Sequence, residues 1–132
     1  MPLRVHHLAV VVSDLEASER FYAGLLGLPV VRRWQDDAGQ PRSVWVDLGA
    51  GAFLAIERAA ASGPTRSEVA PGFHCLALAI EPSEREGLRA RLAAGGHPVE
   101  RESGYTLYAR DPDGHLVAFS HYPEPAPAAP AR

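Results

Sequence analysis

Six histidines and one cysteine are the side chains of this 132-residue sequence best suited to hold a metal or move a proton near neutral pH. Two of the histidines stand at matching places. Sliding the chain by 67 residues lays His74 over His7, Leu88 over Phe21 and Leu92 over Leu25. Each histidine then opens an apolar run, Leu8–Val12 or Cys75–Ile80. Two neutral imidazoles begin a divalent-cation site but do not complete one, because catalytic zinc sites use three protein ligands and harder cations want oxygen. The segment Tyr108–Tyr122, YARDPDGHLVAFSHY, carries His115 and His121 but no carboxylate inside its apolar run.

The elements that must position these residues also repeat. At an offset of 63, Gly51–Glu57 (GAFLAIE) lies over Gly114–Ser120 (GHLVAFS). The two opening runs have the length and branching of strands covered on both faces. A helix follows each. Ser13 with Glu16 forms a capping box for the first, Leu15, Phe21, Leu25 and Leu26 give it an apolar stripe, and Gly27 stops it. Pro82 suits the first turn of the second, Leu88 and Leu92 share a face, and Gly95–Gly96 end it. Three strands complete each half, near Pro29–Gln35, Arg42–Leu48 and Ala52–Arg58, then near Pro98–Ser103, Gly104–Asp111 and Leu116–His121. Asp36–Gly39 (DDAG) and Asp111–Gly114 (DPDG) are turns. The order β-α-β-β-β therefore occurs twice, an α+β pattern, with modules at about 1–58 and 72–122 in one domain, 1–122. A loop, Ala59–Gly72, joins them. Residues 123–132, rich in Pro and Ala, have almost nothing to bury and are expected to be disordered.

Composition excludes several classes. Hydrophobic residues make up 46% and charged residues 22%, with a net charge of −3, ordinary for a soluble globular domain. The 13 basic residues are scattered, so no stripe for nucleic acid forms. No apolar run is long enough for a membrane span or a signal peptide. The single Cys75 rules out an internal disulfide and fits a reducing, cytoplasmic setting.

HHLAVVVSDLEASERFYAGLLGLPVV, GFHCLALAI and YARDPDGHLVAF resemble the vicinal oxygen chelate superfamily, which includes glyoxalase I, bleomycin-resistance proteins, fosfomycin thiol transferases and extradiol dioxygenases. The resemblance covers roughly residues 4–121. It implies two βαβββ modules forming a cupped mixed sheet with a ligand cavity, and a homodimer. In catalytic members a divalent metal is held by inward-facing residues on the first and last strands of the modules. Carried over, the first-strand positions are His7 and His74, and the last-strand positions are Ala55 and Ala118. Both places where a carboxylate is expected hold alanine. Glu57 shares the face of Ala55 and is the one last-strand acid able to enter the cavity, one pair-step, or about 6–7 Å, along the strand.

Other residues divide on the same logic. Trp45, Phe53, Tyr105 and Tyr108 are the candidate substrate-binding residues, as aromatic walls or hydrogen-bond donors at a pocket mouth, with plain core packing as the alternative. Trp34 and Arg33 suit a rim or a dimer contact. His6 is expected to face away from His7, His115 to be exposed past its turn, and His121 to face the helix layer or solvent, while His97 has no role. Cys75 follows His74 and so is expected against the helices, as a buried thiol. No catalytic residue is singled out.

Two functions fit. One is a small-molecule enzyme, a lyase, isomerase or dioxygenase, whose divalent metal polarises substrate oxygens, with His7, His74 and Glu57 as ligands. The other is a metal-free protein of the bleomycin-resistance type that sequesters a small molecule or drug in an apolar cup. The paired histidines favour the first and the missing acids favour the second.

Overall fold

Side chains that alternate between the two faces of a sheet organise the strands of this chain. The structure, a computed structural model, describes residues 2–61, 63–64 and 69–127. The chain forms two compact units, Met1–Pro64 and Thr65–Arg132. Each is a mixed four-stranded sheet with a helix between its first and second strands, the βαβββ order legible in the sequence.

In the first unit β1 (His7–Val12), β2 (Val30–Gln35), β3 (Pro41–Gly49) and β4 (Ala52–Arg58) lie in the order β1-β4-β3-β2. β1 runs parallel to β4, and the other neighbours are antiparallel. One face packs on the helix. Val44, Val46, Leu54 and Ile56 alternate onto it and are almost fully buried, together with Leu15, Phe21 and Tyr22 of the helix segment. Burial of such side chains stabilises by about 1.5–3 kcal/mol each.

The helix begins with α1 (Leu15–Glu19) and loosens into a π-helical turn, Arg20–Leu25, where Leu26 N–H reaches the Phe21 carbonyl at 2.9 Å. This widening keeps both Phe21 and Tyr22 in the core, at 2% exposure. Its N-cap is Asp14, whose carboxylate accepts from Ala17 N–H at 3.0 Å, and not the expected Ser13. The two are adjacent and equally apt as caps, and the chain takes extended geometry at Asp14. Gly27 ends the segment at φ 76, a conformation that disfavours any Cβ.

The second unit repeats the plan with β5 (Leu76–Ala79), β6 (Arg101–Glu102), β7 (Thr106–Arg110) and β8 (Leu116–Ser120) in the order β5-β8-β7-β6. Its helix, α2 (Arg85–Ala94), follows a short 3-10 turn at Pro82–Glu84 held by a capping box between Glu81 and Glu84. Leu88 and Leu92 face Leu107, Ala109, Val117 and Phe119, all buried. The DPDG turn is tied by Asp111, whose carboxylate accepts from Asp113 N–H at 2.9 Å and His115 N–H at 2.8 Å.

Past β8 the chain makes one more hydrogen-bonded turn, which includes the first residues, Pro123 and Glu124, of the tail expected to be disordered. Glu124 N–H reaches the His121 carbonyl at 2.8 Å. Residues 128–132 of that tail, and residues 62 and 65–68 of the expected connecting loop, lie outside the described residues.

Candidate functional site

The sheet face turned away from α1 is built as a grid, because residues opposite one another on neighbouring strands project to the same side. One row runs Trp34, Ser43, Glu57, Val11. The next runs Arg32, Trp45, Ala55, Ala9. The third holds Asp47, Phe53 and His7. Two alanines thus sit side by side, Ala55 on the interior strand β4 and Ala9 on the edge strand β1, with larger side chains in the rows on either side.

Those larger side chains are mostly aromatic and in mutual contact. The ring of His7 stacks flat on Phe53, with centroids 4.9 Å apart and 8° between planes. Phe53 in turn stacks on Trp45 at 4.2 Å and 19°. Trp45 meets Trp34 at 5.5 Å, tilted by 59°, and the Arg32 guanidinium lies 3.8 Å over the Trp34 ring. His6, expected to face away, instead joins this ladder edge-on to Phe53 at 5.7 Å, its Nδ1 2.9 Å from Nδ1 of His7. It precedes β1, so strand alternation does not bind it.

Three buried polar atoms on this face lack a hydrogen-bond partner among the described residues: Trp34 Nε1, Ser43 Oγ and Trp45 Nε1. Each such vacancy costs about 1–3 kcal/mol in a closed protein interior.

The corresponding face of the second unit is sparser. Its row runs Arg101, Tyr108, Ala118, Ala77. The Arg101 guanidinium lies 5.0 Å over the Tyr108 ring, and its Nη2 is 3.2 Å from His74 Nε2. Arginine can only donate, so this contact engages the ring lone pair that a metal would take. Tyr105 stands apart from Tyr108, with Tyr122 at 5.1 Å and His121 at 6.0 Å.

Sheet register also revises the match between the two histidines. Ala9 lies beside Ala55, and Ala77 lies beside Ala118. The first strands therefore correspond at an offset of 68, one more than the letters suggest, which sets His74 against His6 and Cys75 against His7. A one-residue slip exchanges faces within a strand. His74 reaches Arg101 because it lies in the coil before β5, not in the strand. Cys75 also precedes β5, and its thiol is half-buried. Burial pushes its thiol up, with the Arg101 charge acting the other way, so it is a poor nucleophile.

The donors present do not make a metal centre within either unit. Glu57 is level with Val11 while His7 is level with Phe53, so four residues, roughly 13 Å of strand rise, separate them. His7 is stacked on Phe53, and Ala55 and Ala118 offer no oxygen. Among the described residues no group of three or more His, Cys, Asp and Glu side chains is placed to hold an ion.

Three further titratable side chains tie the second unit together. His121 is 4% exposed and accepts from Arg85 Nη1 at Nε2, 2.9 Å away. It must then carry its proton on Nδ1 and donate to the Glu124 carbonyl at 2.5 Å. Arg85, 6% exposed, also donates to the Ser103 carbonyl at 2.7 Å. His97 donates from Nδ1 to the Arg110 carbonyl at 2.8 Å.

Residues 4–119 match the model of the Glyoxalase/Bleomycin resistance protein/Dioxygenase superfamily, and the chain belongs to that family. It is similar to a virulence protein of Salmonella typhimurium, 30% identical over 90% of this chain and 84% of that protein. It is similar also to the glutathione transferase FosA of Serratia marcescens, 28% identical over 86% of this chain and 77% of the relative. Among solved structures, a glyoxalase/dioxygenase from Nostoc punctiforme shares the fold, with a TM-score of 0.75, 22% identity and 92% of each chain covered. Among the described residues no helix is long and apolar enough to cross a membrane.

Proposed function

We propose that this chain binds a planar small molecule on the aromatic face of its first unit, without a resident metal. The observation that carries this reading is the continuous ladder His7–Phe53–Trp45–Trp34 beside the alanine pair Ala9 and Ala55. A rigid, preformed aromatic wall packs against an apolar, flat ligand at little entropic cost, and the alanine pair keeps side-chain bulk out of one row of that face. Ala55 of that pair stands where an acid ligand would be needed for metal chemistry. Tyr108, with Arg101 over its ring, is the equivalent aromatic position in the second unit.

A second reading, a metal-assisted enzyme of the transferase, lyase or dioxygenase kind, is favoured by the likeness to a glutathione transferase and by the presence of His7. In that reading a third donor must come from outside the sets described above.

Equilibrium dialysis in the presence of EDTA separates the two. Planar aromatic compounds should be retained saturably, aliphatic compounds of equal size should not, and Phe53→Ala should weaken retention about tenfold. Retention that requires an added divalent cation would overturn the metal-free reading. No retention of any aromatic compound would overturn both parts.

A further inference from the structure

The aromatic face has more hydrogen-bond donors than it uses. Of four buried side-chain atoms without a partner among the described residues, three lie here, and the fourth, Ser18 Oγ, is on α1. The three are neighbours. Trp34 is directly opposite Ser43, and Trp45 is two residues from Ser43 on the same side of β3. Ser43 is 1% exposed. An indole N–H can only donate, and a hydroxyl can donate as well, so the partner this corner lacks is an acceptor.

The charges beside it give that acceptor a sign. Arg32 lies opposite Trp45 with its guanidinium 3.8 Å over Trp34, and the Arg42 guanidinium is 6.0 Å from the same ring. In the same unit Arg20, Arg33 and Arg58 are each paired with a carboxylate. Arg32 and Arg42 pair with none among the described residues. The one acid on this row, Glu57, pairs with Ser43 from β4, on the opposite side of Ser43 from Trp34, which pairs with it from β2. It disfavours an anion on its own side and so places one toward Trp34 and Arg32.

We propose that Trp34, Ser43 and Trp45, with Arg32, form the subsite for an anionic oxygen of the planar ligand, the carboxylate or phenolate of an aromatic acid. This rests on the planar-ligand reading above and adds the ligand's charge and the end at which that charge sits. Entry of the oxygen displaces the covering side chains, Arg32 among them, which keeps its charge beside the bound group. Charge-assisted hydrogen bonds from several donors would then favour the acid over a neutral analogue.

The chain's two tryptophans are the two in this subsite, so intrinsic fluorescence reports on it directly. The full chain is titrated with 4-nitrobenzoate, neutral methyl 4-nitrobenzoate and cationic 4-nitrobenzylammonium, with melting curves to confirm that each variant is folded. The acid should quench saturably and bind about tenfold or more tighter than the ester, and added salt should weaken it. Ser43→Ala and Arg32→Gln should each weaken it by about five- to tenfold. An ester or cation binding as tightly as the acid, or both variants leaving the acid's affinity unchanged, overturns the subsite while the planar-ligand reading stands. Absence of saturable quenching by all three overturns that reading, and the subsite with it.

Discussion

The His7 imidazole lies flat on Phe53 because the two are register partners in the parallel pairing of β1 with β4. Phe53 is thereby sandwiched, with Trp45 stacked on it from the neighbouring strand. The ring joins the histidine that opens the chain's first strand to the aromatic wall of β3. Replacing Phe53 by alanine should remove both stacks and destabilise the protein by about 1–2 kcal/mol, read as a lowered midpoint in urea unfolding. Phe53→Tyr should keep both stability and ligand retention near those of the parent.

A different part of the molecule depends on a single buried cation. Arg85 links α2 to the end of β8 through His121 and to the Ser103 carbonyl. Arg85→Ala should cost about 2–3 kcal/mol, since it strands a buried ring nitrogen and a carbonyl. Arg85→Lys should recover only part, because an ammonium lacks the planar fork that reaches both. Urea midpoints for the two variants decide this.

Three carboxylates are held below the usual range by partners present only in the folded chain. The Arg110 guanidinium does this for Glu100, that of Arg89 for Glu102, and the Gln40 N–H, then Arg58, for Asp36. With folded values below unfolded ones, their contribution is complete above the unfolded values of 4.5 for the glutamates and 3.8 for the aspartate. It disappears as pH falls through the folded values. Their contribution to stability should therefore be flat from neutral pH down to about 5 and decline below, and Glu100→Gln should make that decline shallower. Since these groups are partly exposed, 1 M salt should reduce the effect. Thermal melts across pH 3–7 measure it.

The helix-side core is conventional. Ile56, fully buried between Val44 and Val10, should cost about 2–5 kcal/mol when cut to alanine, without altering ligand preference. Unfolding and fluorescence titration on the same sample separate the two effects.

Much of this architecture was legible in the letters, and the exceptions have physical causes. β4 falls on the expected Ala52–Arg58, and β8 lies within the expected Leu116–His121, because both are apolar runs bounded by turns. Trp45 and Phe53 were identifiable as candidates for an aromatic wall on the first module's strands, but their stack with His7 depends on how β1 pairs with β4, a long-range register that no local pattern encodes. The matching of His74 to His7 followed identical letters, whereas the sheets match Ala77 to Ala9. A repeat aligned by residue type can slip by one where a coil precedes the strand, and that slip changes which side chain reaches which face. The bond between Arg85 and His121 joins residues 36 apart and leaves no local signal. Trp34 looked like a rim residue, and Ser43 carried no mark at all. Only their placement opposite one another, each without a partner, singles them out.

The metal content of the chain purified without a histidine tag tests the account most directly, compared with that of a His7→Ala/His74→Ala double variant. With alanine at positions 55 and 118 and His74 engaged by Arg101, the account predicts well under one divalent ion per chain and the same value in the variant. One tightly held ion per chain, lost when the two histidines are removed, would contradict it.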